Sequence, residues 1–466
     1  MRLDEVTDRK HLPSRHAPVC SQTVKMGVGK GVRMNRRVLL VPLLLLLVAS
    51  CVAAPTATPT TRPTVAPVLA ISPVPTLIAT ATEVPTSTVT PAPTSTPTPT
   101  PPTLSELARA YGIDIGITVG RDEKWQDPRY KDVVLKNATI IIPAGEFMQT
   151  TMDVHGEHLA DPFINWAVQN NKKLRIHELF WHQDIGNELK QIVAASKTTE
   201  ELRQNVLGYM DRRIRRVLNI IPSQVRKTLP LEIVFANEAM WYYHPDQRGG
   251  YSGSPETGGL NTSPYFYTLG PQWLTEAYVK TYQIAGEMGF DQDSIKLIYN
   301  DYDIELPGPK AELIKRELAQ RKQEIAQRLG IPVEDVQLYI GMQFHLKAPG
   351  HQAQYRLDAG RLDKQILITH FEDMAKAIGP VVLTEIDYEG DKKTMPVAIS
   401  ILAEACLEAG PDVCTGLSFW GVLYHKSAEG CTLFSLDDFT PTDAHNRLMQ
   451  ILSQQRPPAT ITPIKP

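Results

Sequence analysis

VVLTEIDY, residues 381–388, joins a short apolar run to two acids, Glu385 and Asp387. A run this short and β-branched has the character of a buried strand, predicted over Val381–Thr384. The i, i+2 spacing of the two carboxylates sets both on one face for as long as the pleat continues. Carboxylates at the end of a buried strand are costly unless they are paired or used in chemistry. In a parallel α/β barrel that end is also where catalysis takes place. The plain alternative is the start of a solvated loop, and the remaining strands discriminate between the two.

Seven further runs of this kind lie along the chain, and the full set is Ile113–Thr118, Ala138–Ile142, Leu174–Leu179, Leu231–Ala236, Ile295–Tyr299, Val336–Met342, Val381–Thr384 and Gly416–Trp420. Helical stretches separate them, among them 272–289 and 310–330. The second sets Ala311, Ile314, Leu318 and Ile325 among Glu312, Lys315, Arg316 and Glu317, an amphipathic pattern. Alternating strands and helices argue for a parallel sheet. Eight strands over about 350 residues fit one (β/α)8 barrel with insertions. A doubly wound sheet is the fold alternative, but no glycine-rich phosphate turn follows the first strand.

The residues at and just past the strand ends carry the chemistry. They are His177, Trp181 and His182 at the third, Asn237 and Glu238 at the fourth, and Asn300 and Asp301 at the fifth. Gln343 and His345 stand at the sixth, Glu385 and Asp387 at the seventh, and Trp420 at the eighth. Two glutamates on different strands of one barrel suit glycoside cleavage, where one acid protonates the leaving oxygen and the other acts as nucleophile or base. Their surroundings must differ, because the two roles need different pKa values. Glu385 has Gln343, His345 and Asp387 as candidate neighbours, which favours an ionised nucleophile. Glu238 is followed by Met240, Trp241, Tyr242 and Tyr243, and a drier setting there raises its pKa toward that of an acid. Asn237 is a candidate to hold a sugar hydroxyl, and Trp181 and Trp420 are candidates to stack on pyranose faces, although tryptophans in a barrel are more often core. His177, His182 and His345 lack the HExxH spacing, so no metal is expected.

Lys and Arg total 48 against 51 Asp and Glu, which gives no electrostatic case for nucleic acid or an acidic membrane surface. The N-terminus speaks for export. Arg36 and Arg37 precede the eleven-residue apolar run Val38–Val48, and Ala49-Ser50-Cys51 follows. That run is shorter than the ~20 apolar residues of a membrane span. Val48-Ala49-Ser50-Cys51 resembles a bacterial lipobox, which makes Cys51 the expected lipid anchor. Residues 1–33 read as an over-called start, because Met34 directly precedes the charged region. Residues 52–103 are rich in Pro, Thr, Ala and Ser and read as a disordered stalk, roughly 3.1 Å per residue and about 150 Å when fully extended. The globular domain is expected over 104–455, with a flexible tail at 456–466. Cys406 and Cys414 are candidates for a short-loop disulfide in an exported protein.

As an ordered set these segments resemble glycoside hydrolase family 10, the retaining β-1,4-xylanases built on a TIM barrel. HELFWH at 177–182 is similar to the family's H-x-L-x-W-H, and FANEA at 235–239 resembles its acid/base segment. LIYNDY at 297–302 resembles N-D-Y, GIPVEDVQLYIGMQFHL at 330–346 resembles the strand-six region, and TEID at 384–387 is similar to T-E-L-D. The region from Cys406 through Cys414 to SFWG is similar to a stretch that carries a disulfide in the family. The resemblance covers roughly 110–435. It implies that Glu238 is the acid/base, Glu385 the nucleophile, and His345 and Asp387 its orienting groups. His177, Asn237, Gln343 and Trp420 then contact the sugar beside the cleaved bond, and Trp181, His182 and Asn300 complete the expected substrate-binding set. The expected partners are a plant polysaccharide and, through the anchor, a bacterial membrane, with no cofactor and a monomeric chain. One departure stands out. The family's second strand ends in E-N-x-M-K, whereas PAGEFMQTT at 143–151 places Gly145, Glu146 and Gln149 at those polar positions and loses the lysine. Extra residues at 242–262 and 347–361 are expected to lengthen loops on the catalytic face.

Overall fold

The structure is a computed structural model that describes residues 101–120, 123–243, 248–251, 263–351, 356–391, 393–421, 423–424, 433–435 and 438–454. The export signal, Cys51, the stalk up to residue 100, Cys431 and the 456–466 tail lie outside the described residues.

All eight expected strands are present. They are β1 Asp114–Val119, β2 Ile140–Pro143, β3 Lys173–Ile176, β4 Leu231–Asn237, β5 Ile295–Asp301, β6 Leu338–Met342, β7 Val381–Glu389 and β8 Cys414–Phe419. Each pairs in parallel with its sequence neighbour, and β8 pairs with β1, so the sheet closes. Closure leaves this sheet no free edge between β8 and β1. Helices cover the outside. One of them, Pro309–Leu329, begins with proline at its first position and ends on Gly330 in the left-handed conformation. It buries Ala311, Ile314, Leu318 and Ile325 on one face, the side the amphipathic pattern indicates. A disulfide joins Cys406, near the end of the helix Met395–Ala409, to Cys414, the first residue of β8.

Alternation along the strands stacks the barrel interior in layers. At the bottom, Arg175 and Lys296 pair with Glu232, and Lys173 and Lys296 approach Asp114. Taking such charges out of water is expensive, and their mutual pairing offsets that penalty. Two residues on, Val234 and Ile298 meet Val382 in a small apolar layer. Two more residues on β5 and β7 bring Asn300 and Thr384 to the top. Gly341 on β6 lies beside them, and a Cβ there would stand 2.5 Å from Asn300 Oδ1 and 2.8 Å from Thr384 Cγ2. The missing side chain leaves room for the polar layer.

Most strand limits fall within one or two residues of the sequence expectation, and two strand ends differ by three or more. β3 stops at Ile176, so His177 begins an irregular turn. β7 does not end at Thr384 but runs to Glu389, because Asp387, Tyr388 and Glu389 pair with His345, Leu346 and Lys347. The solvated-loop alternative for Glu385 and Asp387 is thereby excluded, since both are buried within a strand.

Candidate active site

Backbone hydrogen bonds knit the strand ends together. Asn237 N donates to Phe180 O, Glu238 N to Asn300 O, Gln343 N to Asp301 O, Glu385 N to Gln343 O and Trp420 N to Ile386 O, all between 2.8 and 3.2 Å. Glu238 has a positive φ of 48°, uncommon for a residue with a side chain. Such conformations persist where the surroundings hold them, and Glu238 is held by the Asn300 carbonyl and by two side-chain donors.

Those donors are Trp181 Nε1, 3.0 Å from Glu238 Oε2, and Gln343 Nε2, 3.0 Å from Oε1. Burial dominates the electrostatics of this carboxyl, and the negative charges of Asp301 and Glu385 add to it. Together they push Glu238 up to about 7 against the pull of the two donors. The acid is therefore about half protonated near pH 7 and largely protonated below it.

Glu385 has the opposite balance. Burial alone would raise it, but the His345 hydrogen bond, the charges of His177 and His345 and the Asn300 bond outweigh burial and hold it below the usual carboxylate range. His345 Nε2 stands 3.4 Å from Glu385 Oε2, His177 Nε2 lies 3.8 Å from Oε1, and Asn300 Nδ2 donates to Oε1 at 2.7 Å. His345 Nδ1 faces Asp387 Oδ1 at 3.0 Å. Burial works against a charged imidazole there, yet the two carboxylates lift His345 well above its ordinary value. As an imidazolium it donates through both nitrogens. The i, i+2 acids thus share one histidine from the same face of β7.

The remaining expected residues fall into two groups. His177 is buried, packs at 4.9 Å from the Trp420 ring and sits between it and Glu385. Trp181, His182 and Trp420 are partly exposed, and burial of the His182 ring lowers its pKa to about 4, keeping it neutral. Asn300 is placed differently from the expectation. It is fully buried, donates to both Glu385 and Asn237, and accepts from Thr384. Its position is behind the carboxylate, a support rather than a sugar contact. Asn237 is likewise buried and spends its oxygen on Asn300.

Gln149, the residue in place of the family's lysine, is also buried. Its side chain hydrogen-bonds to Tyr209, Tyr265, the Leu179 carbonyl and Gly186 N, all scaffold groups. Asp184 caps the helix Gln149–His155 through Gln149 N, Thr150 N and the Thr150 hydroxyl. The end of β2 is thus turned into the wall. Two charged groups at the site were not singled out from the sequence. Glu178, buried beside His177 with its Oε2 3.0 Å from His177 Nε2, was signalled only by an acid inside HELFWH. Arg356, in the 347–361 segment, had no local signal at all.

The geometry can be set beside known proteins. The family model described as Glycosyl hydrolase family 10 matches residues 103–447. The chain belongs to that family. Among similar sequences, Endo-1,4-beta-xylanase 2 of Aureobasidium pullulans is 23% identical over 312 residues, 64% of this chain and 74% of the relative. Endo-1,4-beta-xylanase A of Caldicellulosiruptor sp. is 22% identical over 329 residues, 69% of this chain and 43% of the relative. Among solved structures, xylanase 10B from Thermotoga petrophila, in complex with xylobiose, superposes with a TM-score of 0.57 at 20% identity, covering 76% of this chain and 98% of that one. A Penicillium canescens endo-1,4-beta-xylanase gives a TM-score of 0.57 at 19% identity, with 76% and 98% covered. At these identities the structural likeness concerns the fold. The family-10 chain is a glycoside hydrolase.

Proposed function

We propose that this family-10 chain is a retaining endo-β-1,4-glycosidase of xylanase type, with Glu385 as nucleophile and Glu238 as acid/base. The observation that carries the reading is the opposed electrostatics of two carboxylates at one barrel mouth: Glu385 held ionised, Glu238 raised to about 7. In the first step a Glu385 oxygen attacks the anomeric carbon as the Glu238 proton passes to the glycosidic oxygen, and the aglycone departs. In the second step Glu238, now a carboxylate, takes a proton from water. The water oxygen attacks the same carbon and Glu385 leaves. Esterification removes the Glu385 charge, one of the causes that raise Glu238, so its pKa falls and the carboxylate form needed for the second step is favoured.

The substrate class is taken from the xylanases among the relatives. The closed polar network around Gln149 favours a second reading, a β-1,4-glucan or decorated xylan, because the distant glycone sugar meets a different surface. Release of reducing sugar by the full chain from xylan, arabinoxylan, mixed-linkage glucan and cellulose separates the two. Xylan is expected to react fastest, and a clear preference for arabinoxylan, mixed-linkage glucan or cellulose would favour the second reading. Binding to these polymers with no release from any would sink the enzymatic reading.

The chain is further proposed to be exported and held at the bacterial surface through lipid on Cys51, with the 52–103 stalk as tether and the barrel monomeric. Wild-type protein is then expected in the membrane fraction and Cys51→Ala protein in the soluble one. Unmodified wild-type protein free in the medium would refute the anchor.

A further inference from the structure

The 347–361 segment does more than lengthen a loop. His345–Lys347 pairs with β7, and Leu357–Asp358 pairs in turn with Leu346–Lys347. His345–Lys347 thus lies between β7 and Leu357–Asp358, and Arg356, just before Leu357, reaches two buried acids of β7. Arg356 Nη1 lies 2.6 Å from Asp387 Oδ1, Nη2 3.1 Å from Oδ2, and Nε 2.7 Å from Glu389 Oε2. Nη1 also donates to the Leu346 carbonyl at 3.2 Å. Asp387 and Glu389 are 5% and 8% exposed, so a cation there compensates carboxylates that water barely reaches. The planar fork engages both Asp387 oxygens at once, which fixes the carboxylate plane.

Asp387 Oδ1 is the atom that His345 Nδ1 faces, and His345 Nε2 faces the Glu385 nucleophile. From this continuous chain we infer that Arg356 is a positioning residue for Glu385, acting through Asp387 and His345; the inference rests on the proposed nucleophile. Other charges face the same chain. His177, with Glu178 beside it, approaches Glu385 from the turn after β3, and the charge of Glu385 is felt at Glu238 together with that of Asp301. His351 stands 3.5 Å from Glu389, and Lys347 is Glu389's strand partner. Arg356 is the group among them that forks onto Asp387. Removing its charge leaves Asp387 and Glu385 less favoured as anions, so the acid limb of kcat/KM moves to higher pH. Loss of the fork frees the Asp387 plane and, through His345, misplaces the nucleophile, with an expected fall in kcat of about 10–100-fold and a smaller change in KM.

The test compares wild type, E385A, R356K, R356M, R356Q and R356A on an aryl β-xyloside across pH, with thermal melts alongside. R356M or R356Q is expected to show the lower kcat and the displaced acid limb. R356K is expected to keep the wild-type limb with a reduced kcat, since a point charge replaces the fork. Millimolar guanidinium is expected to restore part of R356A activity. A folded R356M with wild-type kcat and acid limb would overturn the inference. A lowered melting temperature with an unmoved limb and no guanidinium rescue would also overturn it, because a merely structural arginine predicts that pattern. Should R356M fail to fold, R356Q carries the same criteria. Wild-type turnover that disappears in E385A keeps the nucleophile assignment standing apart from either result.

Discussion

Glu385→Ala is expected to lower turnover of both xylan and aryl β-xylosides by on the order of 10⁴-fold, about 5.5 kcal/mol of barrier. The variant removes the one anion that His345, His177 and Asn300 converge on. It leaves two imidazoles, both raised above their ordinary pKa in the native protein, facing a vacated space. Some of that elevation depends on Glu385 itself and is lost with it. Asp387 continues to support His345 as a cation, and Glu178 does the same for His177. An anion of azide's size is therefore drawn to the position the carboxylate held.

Azide is accordingly expected to restore part of the activity on substrates with good leaving groups. It attacks from the face that Glu385 uses, so the product is an α-azido sugar, identifiable by NMR. Wild-type-like turnover in the variant without azide would remove Glu385 from the nucleophile role. A β-azido product would do so as well, because that stereochemistry arises when a covalent intermediate still forms. The outcome thus tests which of the two carboxylates makes the bond.

The barrel was legible because each strand is a short apolar run bounded by breaks, and because closure asks only that eight such runs alternate with amphipathic helices. The polar strand ends were legible for the same reason, since a charge directly after a buried run has few other uses. What stayed hidden depends on distant partners. Residues 385–389 set acids between Ile386 and Tyr388, a pattern that suits a strand but carries enough charge to leave a solvated loop start open, and it is the pairing with 345–347 that keeps them in β7. An asparagine at a strand end reads the same whether it faces sugar or a neighbour. Asn300 turns inward because Gly341 leaves the space for it. Gln149 stands at the position of the family's lysine, but its destination was set by Tyr209 and Tyr265, 60 and 116 residues away. Arg356 approaches the site through strand pairings of the inserted segment, which no local pattern announces.

Glu238→Ala tests the other half of the pair, and its signature is selectivity rather than bulk loss. On xylan, where the departing sugar oxygen is a poor leaving group, the first step needs the proton, and the expected loss is about 10²–10⁴-fold. On an aryl xyloside with an acidic phenol the first step proceeds with little help. The second step still lacks its base, so the glycosyl-enzyme should accumulate and appear as a burst of phenol followed by slow turnover. The pH dependence gives an independent reading. Glu238 must carry its proton to act, and its pKa is near 7, so wild-type kcat/KM on xylan is expected to fall as pH rises through about 7. On the acid side it falls when Glu385 takes up a proton, below the usual carboxylate range. In Glu238→Ala the basic limb should vanish while the acid limb stays. Equal losses on the two substrate classes, or a basic limb that survives the substitution, would place the acid elsewhere. Trp181 and Gln343, which hold the Glu238 carboxylate in the native site, then lose their common acceptor, and neither side chain can deliver a proton in its place near neutral pH.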